Sequence, residues 1–151
     1  MDKTIELAKE GRINENASIK DQHSIIINAP IDKVWEILAD LSNWPTWNED
    51  ISKVVVNGDL EEGSRFSWVY NGNKINAEIQ LLKEPNELAW SGKARWVKEI
   101  YVWQLESDEN QTIVTLSASL SGSFTIFVNS HQKVYRELIQ WVECLKKAAE
   151  Q

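Results

Sequence analysis

One segment indicates the architecture more clearly than any other: Asn28-Ala29-Pro30-Ile31-Asp32-Lys33-Val34-Trp35-Glu36-Ile37-Leu38-Ala39-Asp40, followed closely by Trp44-Pro45-Thr46-Trp47. It comes after a β-branched run, His23-Ser24-Ile25-Ile26-Ile27, which predicts a strand. Pro30 suits the first turn of a helix, because its missing N–H would have no partner there in any case. The apolar residues of the segment then recur on one helical face. The pattern predicts a strand, an amphipathic helix and a second short helix or turn.

Length and charge set the broad class. The chain has 151 residues, of which 42% are apolar and 26% charged, and this fits one globular domain. Its net charge of −7 argues against a nucleic acid or an anionic membrane as the main partner. The charged N-terminus does not resemble a secretory signal, and no run approaches the ~20 apolar residues of a membrane span. We expect a cytoplasmic protein.

The cysteine and histidine content predicts neither a disulfide nor a metal site. Cys144 is the only cysteine, and its place in an apolar helical pattern favours a packing role over a nucleophilic one. His23 and His131 lie far from it in sequence, without a recognised ligand spacing. The sequence also lacks a Gly-rich phosphate loop and a nucleophile elbow. No cofactor and no metal are therefore predicted.

Period-two alternation marks the middle of the chain. Turn signals such as Asn57-Gly58-Asp59, Asn71-Gly72-Asn73 and Ser107-Asp108-Glu109-Asn110 separate short apolar and polar runs. After residue 127, an apolar stripe predicts about six turns of amphipathic helix. Residues 1–18 are expected to form a peripheral arm with a short helix, and residues 19–151 a single domain. The strands and the final helix together indicate a curved antiparallel sheet wrapped around a helix.

These residues resemble the START-like helix-grip superfamily (SRPBCC), and within it the polyketide cyclase/dehydrase and lipid-transport family. The resemblance covers about residues 19–149 and implies an α+β helix-grip fold. In that fold a curved antiparallel sheet of six to seven strands wraps around a long C-terminal α-helix, with two short helices after the first strand. The matching positions are Ile25, Ile27, Ala29-Pro30, Val34-Trp35, Leu38, Asp40, Trp47, Ile51, Val54, Gly63, Leu88, Trp90, Gly92 and Gly122.

The resemblance also implies an apolar cavity between the sheet and the last helix. Tyr hydroxyls, Trp indoles and a histidine mixed into an aromatic set are typical of a ligand pocket. The alternative is that the large rings fill the core and leave no void. The residues that alternation and helical spacing place in the interior are Trp68, Tyr70, Trp90, Tyr101, Trp103, Leu116, Phe124, His131, Tyr135 and Leu138.

No catalytic group is identified with certainty from the sequence. His131, Tyr135 and Arg95 are the candidates for proton transfer or polarisation. Glu78 is the one acid expected inside a strand that could turn inward, but alternation puts it on the polar face. A His–carboxylate dyad is therefore not predicted. Trp44, Pro45 and Trp47 are expected at a cavity rim, beside a mobile-edge loop formed by Lys93-Ala94-Arg95-Trp96.

The interpretation favoured here is a carrier or sensor that encloses a small hydrophobic or aromatic molecule, such as a lipid or a polyketide-like metabolite. Two alternatives follow from the same resemblance. One is a cyclase- or dehydratase-like enzyme that works in the cavity without metal; the other is an interaction module similar to chaperone activators. An exposed edge strand would also allow a homodimer.

Overall fold

The computed structural model describes residues 2–122 and 131–151, so the predicted cavity residue Phe124 lies outside the described part. Within these two ranges, four α-helices and seven strands follow one another. They are α1 (Lys3–Lys9), β1 (Ile19–Ile27), α2 (Ile31–Ala39), α3 (Trp44–Trp47), β2 (Ile51–Val56), β3 (Arg65–Tyr70), β4 (Asn73–Lys83), β5 (Glu87–Ala94), β6 (Val97–Asp108), β7 (Gln111–Ser121) and α4 (His131–Ala149).

A single antiparallel sheet contains all seven strands, in the order β1-β7-β6-β5-β4-β3-β2. The sheet curves, and α4 packs on its inner face with Val134, Leu138, Trp141, Val142 and Leu145 buried. This arrangement confirms the predicted helix-grip fold. In the described ranges, none of the helices has both the length and the apolar character that crossing a membrane requires.

The segment after β1 folds as its spacing predicts. Val34, Trp35 and Leu38 form the buried face of α2, and a 3₁₀ turn at Leu41–Asn43 leads into α3. The predicted position of Trp44 at a cavity rim is wrong, because this side chain is fully buried. The turn folds Trp44 back over the end of α2, where its indole Nε1 donates to the carbonyl of Leu38 at 2.9 Å.

Tryptophan rings fill the space between α4 and the sheet. Trp141 of α4 has ring centroids of five other tryptophans within 6.4 Å. The nearest are Trp44 at 5.0 Å and Trp103 at 5.4 Å. Three of these five pairs are edge-to-face and two are tilted, which are favourable geometries for aromatic rings. This part of the interior is packed, as the alternative to an open cavity anticipated.

The N-terminal arm, expected to be peripheral, covers the outer face of the sheet. Helix α1 contacts β4, β5 and β6 there. Ala8 is fully buried and joins a second, small apolar cluster with Leu81, Ala89, Ile100 and Val102. Both faces of the middle of the sheet are therefore shielded from solvent.

Half of the predicted mobile-edge loop at residues 93–96 is strand, and the other half is a tight turn. β5 continues to Ala94 and β6 begins at Val97, so that Arg95 and Trp96 form a two-residue hairpin turn. Arg95 has a φ of +56°, in the left-handed region that such turns use. Both side chains are exposed.

Replacing Trp141 tests how far the fold depends on the ring cluster. We expect Trp141→Ala to lower the free energy of unfolding by about 3–5 kcal/mol, because it removes a fully buried indole and leaves a cavity. Urea denaturation followed by circular dichroism measures this. The control is Ile26→Ala, since Ile26 is 52% exposed and its loss should cost less than about 1 kcal/mol. Equal costs for the two variants would contradict a dependence on the cluster.

Candidate functional site

A buried carboxyl group lies in the interior, on β6. Glu99 shares the inner face of this strand with Tyr101, Trp103 and Leu105, and only 4% of it is exposed. Its Oε1 has no hydrogen-bond partner among the described residues. The expectation that Glu78 is the only acid able to turn inward is therefore wrong. The alternation that predicts an inward Tyr101 also points Glu99 inward, once the strand is extended back to Val97.

Gly92 on the neighbouring strand makes room for this carboxyl group. The two residues pair directly across β5 and β6. A Cβ on Gly92 would lie 2.7 Å from Glu99 Oε1, closer than real Cβ atoms approach, and would make a tight contact of 3.0 Å with Glu99 Cγ. Any side chain at position 92 would therefore displace the Glu99 carboxyl from its place.

A second acid, Glu137, approaches the same end of the interior from α4. Burial is the main cause that raises the pKa of Glu137 to about 7; Lys133 lowers this value and Asp50 raises it. Burial, and after it the charge of Glu137, raise the pKa of Glu99 to about 8. Near neutral pH, Glu99 therefore holds its proton while Glu137 is close to half ionised.

Two tyrosines complete this group. Tyr101 stacks on Trp90 with centroids 5.2 Å apart and an interplanar angle of 16°, and Tyr70 meets the edge of Trp68 at 5.9 Å. Burial, followed by the charges of Glu99 and Glu137, holds the pKa of Tyr101 well above its usual value. Burial and then Glu137 likewise raise the pKa of Tyr70. Both hydroxyls therefore stay protonated at neutral pH, and that of Tyr70 donates to the carboxylate of Asp50. We call Tyr70, Glu99, Tyr101 and Glu137 the acid–tyrosine cluster.

Other buried polar atoms of the described residues also have no partner. Gln140 donates from Nε2 to Asn48 Oδ1 at 3.0 Å, but Gln140 Oε1 and Asn48 Nδ2 have no partner in the described part of the chain. The same holds for the indole N–H groups of several core tryptophans. Buried polar groups normally have partners, so a ligand or ordered water would find several here. The indoles are those of Trp47, Trp68, Trp90, Trp103 and Trp141.

Most of the residues predicted to face the interior do so. All of the predicted interior residues that lie in described strands are buried, and so is Leu138 on α4. Each has a relative exposure of 8% or less. Their role in binding a ligand stays a prediction. The residues in question are Trp68, Tyr70, Trp90, Tyr101, Trp103, Leu116 and Leu138.

His131 and Tyr135 do not point into the interior, contrary to their predicted place. His131 is exposed and its Nε2 lies 2.9 Å from the carbonyl oxygen of Ser18. Tyr135 is 39% exposed and meets the ring of His23 on β1 at 5.8 Å. α4 runs alongside edge strand β1, and these two residues lie on the flank of the helix that faces this strand. Glu137 lies on another flank, toward Tyr70.

The third catalytic candidate, Arg95, is exposed at the β5–β6 turn. In the two described ranges, the acids, cysteine and histidines form no group of three that could hold a metal ion. The structure therefore brings together a set of residues that differs from the candidate catalytic set. This set is the acid–tyrosine cluster, in which Glu99 occupies an inward position on β6 and Glu137 lies on α4, the helix that packs against the sheet.

Comparisons with known proteins agree with the fold. The sequence model of the family described as "Polyketide cyclase / dehydrase and lipid transport" matches residues 18–143. A hypothetical protein from Helicobacter pylori superposes with a TM-score of 0.81 at 16% identity, covering 89% of this chain and 90% of the other. No functionally curated protein matches the sequence.

Two further solved structures are similar. A START superfamily protein from Mycobacterium smegmatis has a TM-score of 0.75 at 12% identity, with 87% of this chain and 97% of the other covered. The Zhui aromatase/cyclase from Streptomyces sp. R1128 has a TM-score of 0.74 at 16% identity, with 87% and 93% covered. At these identities the likeness concerns the fold.

The raised pKa of Glu99 makes stability depend on pH. The folded protein holds this proton more tightly than the unfolded chain, whose glutamate has the ordinary pKa of 4.5, so the stabilisation is lost as pH rises toward about 8. We expect wild type to lose on the order of 2 kcal/mol of unfolding free energy relative to Glu99→Gln between about pH 6 and about pH 9. Urea denaturation across this range measures the difference.

The matched control for this titration is Glu106→Gln, an exposed acid on the same strand. Its stability curve should run parallel to that of wild type. Parallel curves for Glu99→Gln and wild type would show that Glu99 does not hold a proton in the folded protein.

Proposed function

Because this chain belongs to the polyketide cyclase/dehydrase and lipid-transport family, we propose that it binds a small, largely apolar molecule, such as a lipid or an aromatic, polyketide-like metabolite. The proposed place is the end of the interior marked by the acid–tyrosine cluster. The proposed role is that of a carrier or sensor. The family supports a fold with a ligand-binding cavity; the ligand class and the role are part of the proposal.

The observation that carries this proposal is the buried Oε1 of Glu99, which has no hydrogen-bond partner among the described residues. Burying a polar group without a partner costs free energy, so such a group in a protein interior calls for a reason. A protonated carboxyl both donates and accepts hydrogen bonds, and can therefore engage a hydroxyl or a carbonyl of a ligand. Gly92 keeps the space for it open.

The surroundings of Glu99 suit an aromatic guest. Tyr101 lies next to it on the same strand face and is flanked by Trp90 at 5.2 Å and Trp68 at 5.7 Å. Ligand pockets combine such apolar walls with a few placed polar groups. The walls favour burial of a flat ring, and the carboxyl and the hydroxyl of Tyr101 favour a ring that carries oxygen.

The test is a tryptophan-fluorescence titration with paired aromatic probes, 2-naphthol and naphthalene. We expect saturable quenching by 2-naphthol, because the cluster tryptophans lie beside the proposed site. Glu99→Leu should weaken 2-naphthol binding by about tenfold through the loss of one hydrogen bond, and leave naphthalene within about threefold. Glu106→Gln is the control and should bind both probes as wild type does. Absence of saturable quenching with these probes and with a wider set of lipids and aromatic ketones would contradict the proposal.

A second candidate function is dehydration of a β-hydroxyketone, favoured by the difference between the two acids. The ionised carboxylate of Glu137 would take the proton from the carbon next to the ketone. Glu99 would give its proton to the leaving hydroxyl, so that water departs as the C–O bond breaks and the C=C bond forms. Exchange with solvent would then return the proton from Glu137 to Glu99.

This candidate predicts a narrow pH optimum. Glu137 must be ionised, which requires a pH above about 7, and Glu99 must be protonated, which requires a pH below about 8. We expect the rate with 4-hydroxy-4-phenylbutan-2-one, followed by enone absorbance, to peak between these values. Glu99→Gln and Glu137→Gln should each abolish the rate, while Glu106→Gln preserves it. A rate no higher than that in buffer would reject the enzyme and leave the carrier proposal standing.

A further inference from the structure

A groove with a volume of about 460 Å³ lies on the outer face of the sheet, away from the acid–tyrosine cluster. Its floor consists of residues 76–78 of β4 and 91–93 of β5, and Thr4 and Ile5 of α1 form one wall. It extends from Lys98 on β6 to Arg65 on β3, about 14 Å at the usual strand spacing of about 4.8 Å. Pockets for small molecules have volumes of roughly 300–1,000 Å³, so this groove has room for one.

Five charged side chains line the groove, three of them basic and two acidic. Arg65 Nε lies 3.4 Å from Glu78 Oε1, and Lys98 Nζ lies 3.6 Å from Asp2 Oδ2. The fifth, Lys93, makes neither an ion pair nor a hydrogen bond with the described residues. The lining therefore carries one positive charge more than its acids balance, although the net charge of the chain is −7.

The excess of positive charge is concentrated where two lysines face each other. Lys93 on β5 and Lys98 on β6 pair directly across the strands. The Cβ atoms of such a pair are about 4.5–5.5 Å apart, and like charges in this position destabilise a sheet. Asp2 lies near both lysines, but its Oδ1 already accepts a hydrogen bond from the backbone N–H of Thr4 at 2.9 Å. One carboxylate shared in this way leaves the lysine pair short of negative charge.

Uncharged donors lie beside the lysine pair. Ser91 Oγ accepts from Gln80 Nε2 at 3.1 Å, so the hydrogen of its own hydroxyl can be donated to a further acceptor. Asn76 lies opposite Lys93 on β4, and its amide is exposed in the groove. Hydrogen bonds between cations and oxyanions are about twice as strong as neutral ones, and an oxyanion has oxygens for the neutral donors as well. This combination of residues suits an oxyanion.

We propose that the outer groove binds a small organic molecule through an oxyanion, a phosphate or a carboxylate, which lies between the ammonium groups of Lys93 and Lys98. The Ser91 hydroxyl and the Asn76 amide donate to its remaining oxygens. The rest of the molecule extends across β4 toward Arg65, with α1 along its side. This second site is separate from the interior and does not depend on the function proposed for it.

The experiment adds four probes to ¹⁵N-labelled protein and follows the backbone amides by NMR. The probes are phenyl phosphate, benzoate, inorganic phosphate and the uncharged benzyl alcohol. We expect saturable shifts of the amides of residues 91–93 and of Lys98 with phenyl phosphate or benzoate, with a dissociation constant of about 1 mM or lower. Inorganic phosphate should bind the same amides more weakly, because it lacks the ring, and benzyl alcohol should leave them unshifted. The tighter of the two aromatic anions identifies the oxyanion as phosphate or carboxylate.

Three variants locate the binding. Lys93→Gln and Lys98→Gln each remove one charge of the pair and should weaken the tighter anion by at least about fivefold. The matched control is Lys83→Gln, because Lys83 is an exposed lysine roughly 16 Å along β4 from Glu78. This distance exceeds the Debye length of about 8 Å at physiological salt, so the control should bind within about twofold of wild type.

A melting curve without ligand gives an independent result. Lys93→Gln should melt at or above the temperature of wild type, because the change removes a like-charge pair. A lower melting temperature would show that Lys93 already has a stabilising partner in the protein, and it would overturn the inference.

Two binding results would also overturn it. One is the absence of saturable shifts with all three anions. The other is equal weakening by Lys83→Gln and Lys93→Gln, which would indicate unspecific attraction between the anion and any lysine. The carrier proposal is tested separately by the 2-naphthol titration and does not fall with this inference.

Discussion

Contact between Trp141 and five other tryptophan rings is the interaction on which the arrangement of this protein depends. It joins α4 to the sheet through Trp68, Trp90 and Trp103, and to the segment after α2 through Trp44 and Trp47. The rings meet at steep angles, so a rotation of α4 about its axis would separate several pairs at once. With the rotation fixed, Glu137 must face Tyr70, and Tyr135 must face β1.

The interior consequently has two ends of different character. Around Trp141 it is filled with rings, which contributes stability and leaves the helix little freedom. Around Glu99 it holds acids and hydroxyls whose burial costs stability. Burial disfavours the charged form of a carboxyl group, so Glu99 stays protonated and neutral there. Binding sites commonly carry such a cost. In this protein, the stability contributed by the packed rings around Trp141 offsets the stability lost by burying the acids and hydroxyls around Glu99.

The fold could be predicted from the sequence because its signals are local. Alternation in the strands, Pro30 at the start of α2 and the stripe on α4 each specify an element by themselves. The residues of the candidate site are harder to predict from the sequence than the fold. Glu99 is not evident from the sequence, because the clear alternation of this strand begins at Tyr101, four residues after the true start of β6 at Val97, and because strand pairing alone reveals its partner Gly92. Spacing on α4 groups His131 with Tyr135 correctly, but which neighbour that flank faces is decided by tertiary packing.

The tryptophan cluster also has an optical consequence. Its ring centroids lie 5.0 to 6.4 Å from Trp141, so close that excitation absorbed by one indole can pass to another before it is emitted. Emission will then come largely from whichever ring has the lowest excited state, whatever ring absorbed the light. Energy transfer therefore couples the fluorescence of the six indoles. A guest that quenches one of them at the acid–tyrosine end will lower the emission that follows excitation of any of the six.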